Sequence, residues 1–159
     1  MCCLNRIALI LLACAIAHGH VVSISNGELR VTGRTAQFEF RIPSYEVDAI
    51  ANPETEILDQ FHFGDSSRGS ASCRKDSDWL TCNATYEFPQ PIPDKVDVEC
   101  TLYRVTVPNH IHMLYALQGE DSDQQMFDQN SPMHELRFHP PSLRESITRD
   151  GSAGTGRPE

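Results

Sequence analysis

The residues best suited to chemistry in this sequence are two histidines, His110 and His112. They sit one residue apart in the run Val105-Thr-Val-Pro-Asn-His-Ile-His-Met-Leu114. Neutral imidazole is a ligand for copper, nickel and zinc. On an extended strand, residues i and i+2 share a face with Cβ atoms about 7 Å apart, close enough for two rings to converge on one ion. In His110-Ile-His-Met-Leu-Tyr-Ala-Leu117 the odd positions Ile111, Met113, Tyr115 and Leu117 form the larger apolar set. They are expected to face the core, which sends His110 and His112 out together from the opposite face.

A further histidine stands where processing would start a mature chain. The opening MCCLNRIALILLACAIAHGH combines an early Arg6, an apolar run from Ile7 to Ala17 and small residues after it. That is the pattern of a secretory leader, expected over residues 1–19. The run is shorter than the roughly 20 residues a spanning helix needs. Cleavage after Gly19 makes His20 the first residue, so its amine and imidazole can chelate one ion. His110 or His112 would complete a three-nitrogen set of the kind Cu(II) prefers. Cleavage after Ala17 instead gives His18-Gly-His20, whose amine, backbone amides and third-position imidazole suit square-planar Cu(II) or Ni(II). A third route is lipid attachment at Cys14 in Leu11-Leu-Ala-Cys14, a loose lipobox from which Leu12 departs; it would block the free amine.

The elements that must position these groups are mostly strands. Thr35-Ala-Gln-Phe-Glu-Phe-Arg-Ile42 alternates apolar Ala36, Phe38, Phe40 and Ile42 with polar residues, the period of a half-buried strand. Ahead of it, Asn26-Gly27 reads as a tight hairpin and Val31-Thr-Gly-Arg34 as a second glycine turn, so three short antiparallel strands are expected. Pro43 ends the third. Pro53 to Phe61 is the one expected helix, with Asn52 as its cap. Further strands are expected at 61–63, 79–88, 96–107, 110–117, 124–127 and 135–138. In the strand over 96–107 the apolar phase switches near residues 102 and 103, which predicts a bulge. Strands joined by turns, with almost no helical period, predict an all-β, antiparallel Ig-like sandwich over residues 20–139. The polar, Gly- and Pro-containing stretch 140–159 is expected to be a disordered tail.

Lys and Arg number 13 against 22 Asp and Glu, a formal balance of -9. Nucleic acid, which needs clustered cations, is excluded as a natural partner. Three of the six cysteines fall in the leader. Of the remaining three, folding the chain about Ser77-Asp78 as a two-residue hairpin sets Cys73 opposite Cys82, the preferred disulfide. A rival hairpin about Pro89 to Asp94 would bring Cys82 near Cys100. Other motifs are weaker: Asn83-Ala-Thr85 fits a glycosylation acceptor by chance, and Ser131, His134 and Asp128 lack the glycine motifs of a hydrolase. Asp121, Asp123 and Asp128 lack the spacing of a calcium loop.

Several of these segments, taken together, resemble a known family: His20-Val-Val-Ser23, Gly27-Glu-Leu-Arg30, Phe63-Gly64, Cys73, Trp79 with Cys82, Tyr86-Glu-Phe88, Val98-Glu-Cys100, Val105-Thr-Val-Pro-Asn-His-Ile-His112 and Phe127-Asp128. The string is similar to the extracytoplasmic N-terminal domain of HupE/UreJ-type membrane proteins, over about residues 20 to 138. The resemblance implies metal handling, since members look like accessory proteins or permeases for nickel or another metal. In them the soluble domain precedes a multi-helix membrane region. This chain has a polar tail at that point, so transport does not carry over. The expectation is an exported module, periplasmic or extracellular and without enzymatic activity. It would bind Cu(II) or Ni(II) through His20, His110 and His112 and pass the ion to an envelope membrane protein. Two alternatives are a metal-independent protein-interaction domain of the envelope and a copper-dependent oxidase with an N-terminal histidine brace.

Overall fold

The computed structural model describes residues 22–92 and 95–138. The expected leader with Cys14, the histidine His20 that follows it, and the tail from 140 lie outside them. The described chain forms nine strands in two sheets. In chain order these are β1 (Ile24–Thr32), β2 (Thr35–Pro43), β3 (Phe61–Phe63), β4 (Ser67–Lys75), β5 (Trp79–Glu87), β6 (Lys95–Cys100), β7 (Ile111–Gln118), β8 (Asp121–Phe127) and β9 (Met133–Arg137). The larger sheet runs β4-β5-β2-β1-β7-β8 and the smaller β3-β6-β9, making an all-β sandwich. One helix, α1 (Pro53–Leu58), and two 3-10 turns complete it.

The alternation of β2 is fully realised, with Ala36, Phe38, Phe40 and Ile42 buried. Their rings meet those of the small sheet: Phe38 lies 4.8 Å from Phe61 and 5.1 Å from Phe63 between ring centroids. Burying each such side chain contributes about 1.5–3 kcal/mol, so this cluster is the main tie between the sheets. α1 begins at Pro53, as expected for proline at the first helical position. Asn52 forms no side-chain cap; its backbone N–H instead donates to Glu56 Oε1.

Three expectations are corrected. Asn26-Gly27 is no hairpin: both residues lie inside β1, and the turn into β2 is at Gly33, with φ 59°. The chain does not bulge at 102–103 but leaves the sheet after Cys100 and coils into a 3-10 turn over Leu102–Arg104. Finally, one pair is not antiparallel. β1 runs parallel to β7, with Ser25 beside His112, Gly27 beside Leu114 and Leu29 beside Ala116.

Cys73 and Cys82 are bonded across the β4–β5 hairpin, in the register the two-residue turn implies. Cys100 is a buried free thiol on the small sheet, so the rival pairing with Cys82 is not made. β4 (SRGSASCRK) is almost wholly exposed and lacks an apolar period, which is why no pattern announced it.

Candidate functional site

On β7 the sequence-based choice of face is reversed. His110, His112, Leu114 and Ala116 point inward, each 0–1% exposed, whereas Met113 and Tyr115 face solvent. The reason lies on β1, whose inward side chains at Ser23, Ser25 and Gly27 are small or absent. They leave room for two rings and supply hydroxyls to hold them. At Gly27 an added Cβ would lie 2.7 Å from Phe38 Cε2 and 2.8 Å from His112 Nε2, so only glycine lets β1 pass over the ring. The signal was the alternation Ser23, Ser25, Gly27, Leu29, Val31, whose small members match the bulky positions of a strand far along the chain.

The two imidazoles belong to a buried hydrogen-bonded chain. Ser23 Oγ bonds both Glu46 and His110 Nδ1, while Ser25 Oγ sits 2.7 Å from His110 Nε2 and 2.8 Å from His112 Nδ1. The Glu46 side chain, on the 3-10 turn Ser44–Val47, is 8% exposed and lies 3.6 Å from His110 Nδ1. A carboxylate only accepts, and with both rings neutral the relay then has one direction. Ser23 donates to Glu46, His110 Nδ1–H donates to Ser23, Ser25 donates to His110 Nε2, and His112 Nδ1–H donates to Ser25. The lone pair of His112 Nε2 then ends the chain with no partner among the described residues. It ends among aromatic rings, with Phe61 at 4.9 Å, Phe40 at 5.7 Å and Phe127 at 6.2 Å. Burial pushes the His110 pKa down to about 4. Burial, and then repulsion from His110, pushes that of His112 down to about 3.

The expectation that the two rings project outward is therefore overturned. They share one serine, and His112 is sealed from solvent. Among the described residues no group of three or more His, Cys, Asp or Glu is placed to hold a metal. What does lie at the strand ends is Glu46 with His110 Nδ1. Ser23 is three residues after His20, a covalent reach of roughly 10 Å.

The reversal leaves the apolar set of β7 on the outside. Met113 on β7 sits directly opposite Met126 on β8, and Ile24 on β1 is beside Ile111 on β7. Ile24 (45%), Met126 (55%) and Val22 (49%) are strongly exposed, and Tyr115 extends the patch toward Glu28. No helix among the described residues is long and apolar enough to cross a membrane. The chain matches no protein-family model and no curated protein.

Proposed function

We propose that the chain is an exported, non-enzymatic binding module, akin to the soluble domain of HupE/UreJ-like proteins, that docks on an envelope membrane protein. The carrying observation is the apolar end of the outer face, where Ile24, Ile111, Met113 and Met126 stand side by side in register. Isolated exposed apolar residues are ordinary, but a contiguous cluster across three strands marks an interaction surface. The chain's balance of -9 argues against an anionic lipid surface as the occupant and for a protein with an apolar patch rimmed by cations. The test places a photo-crosslinking amino acid at Tyr115 and illuminates the protein with its native envelope membranes. A single adduct with an integral membrane protein is expected. Excess unlabelled wild-type chain should compete it away, and Met113→Lys/Met126→Lys chain should not. Absence of any adduct that the wild-type chain competes away overturns the proposal.

Metal capture is kept as a second reading, because one imidazole nitrogen and one carboxylate oxygen lie together beside Ser23, three residues after the expected chain start. In it, Glu46 and His110 Nδ1 join the amine and imidazole of His20 around Cu(II) or Ni(II), with His110 switching tautomer and Ser23 released. Titration of the chain beginning at His20 should then show one tight site. Glu46→Gln, which keeps the side-chain shape, should weaken it about tenfold or more. Equal affinity in that variant, or no binding of either ion, removes this reading.

A further inference from the structure

At the opposite end of the same outer face the sheet is concave. Long side chains on β1 and β2 face short ones on β4, where the pairing with β5 shifts register between Arg68 and Ala71. The result is an open groove of about 470 Å³. That volume is within the usual range of small-ligand sites, roughly 300–1,000 Å³, yet the lining is the reverse of the usual apolar one. One row runs straight across four strands: Glu28 opposite Glu39, Glu39 opposite Asn83, Asn83 opposite Ser72. A second row adds Arg30, Gln37 and Thr85.

Two carboxylates directly opposite each other repel and weaken a sheet. Arg30 is ion-paired with Glu28, but Glu39 has no ion pair or hydrogen bond among the described residues. The row thus runs from two acceptor-only carboxylates to an amide and a hydroxyl that both donate and accept. Phosphate is excluded by the lack of clustered cations. A peptide would need apolar pockets for side-chain anchors, whereas the apolar lining residues Phe38 and Ala84 are buried beneath the groove. Adjacent hydroxyls on a ring match the pattern, each giving a proton to a carboxylate or exchanging bonds with an amide. Tyr115, next to Glu28 in the same row, offers an exposed aromatic face for a ring to stack on.

We propose that this groove binds a saccharide, neutral or amino-substituted, through Glu28, Glu39, Asn83 and Ser72. The source is either a free oligosaccharide or a glycan of the cell surface, and two arms of the test separate them. The full chain is titrated with maltohexaose, cellohexaose and the hexamer of N-acetylglucosamine while amide NMR shifts are followed, and it is separately sedimented with purified peptidoglycan sacculi. Saturable shifts at residues 28, 39, 72 and 83 with a soluble hexamer indicate a free ligand. Co-sedimentation alone indicates the surface glycan. Glu39→Ala/Asn83→Ala should weaken whichever is seen about tenfold or more, since it removes two hydrogen-bonding groups, one of them charged. Its thermal midpoint should not drop, because loss of Glu39 relieves the repulsion with Glu28. The proposal is overturned by no binding in both arms, by unchanged affinity in the variant, or by shifts confined to β7 and β8.

Discussion

His112 is a polar ring placed where a phenylalanine would be expected, and its low proton affinity makes the protein acid-sensitive in a defined way. Its pKa is about 3 folded and that of His110 about 4, against 6.5 for free imidazole. Between 6.5 and these values the unfolded chain binds protons that the folded one refuses, so stability falls as pH falls. Each ring contributes up to about 1.4 kcal/mol per pH unit in that window and nothing above it. Urea midpoints should be flat above pH 7 and decline from 6.5 toward 4. His112→Phe, which suits the ring cluster and leaves the Ser25 hydroxyl its bond to His110, should remove about half of the slope. An unchanged midpoint from pH 7 to 4.5 would show that the rings are not enclosed.

Among the elements, β1 depends on one residue for its path. Gly27→Ala would force a methyl group against Phe38 and His112, both held in the core. Overpacking of this kind costs about 1–3 kcal/mol, so a lower thermal midpoint is expected from calorimetry, with the strand content retained by circular dichroism. The same element shows what could be read beforehand. β2 was legible because only one of its faces is apolar, and the Cys73–Cys82 hairpin because turn length fixes register. β7 was not, since both of its faces carry apolar residues and the deciding partners lie on β1, 87 positions away at Ser25. The switch in apolar phase after Cys100 was a true signal, but of a strand ending, because period alone cannot tell a bulge from a departure. The serine relay was invisible for the same reason as the face of β7. Hydroxyl and imidazole meet only through a parallel pairing that no local pattern encodes.

For the molecule as a whole, the smaller sheet, α1 and the packed rings cover the inner side of the larger sheet, while its outer side is left for contact. That outer surface is divided by column, apolar over β1, β7 and β8 and hydrogen-bonding over β1, β2, β5 and β4. The two proposed contacts therefore meet at Tyr115, beside Glu28, and otherwise use different residues. The sandwich architecture followed from turn spacing and strand period. The division of its outer surface emerged only once neighbours in space were known.

Because β1 borders β2 on one side and β7 on the other, it lies in the middle of its sheet although it is the first of the described strands. During synthesis the hairpin with β2 can zip early, but its far flank must stay bare until some ninety further residues have followed, and closure over such a distance is slow. In a nascent chain the larger sheet therefore closes around β1 only after β7 has been made. Until then the bare flank of β1 is an open strand edge.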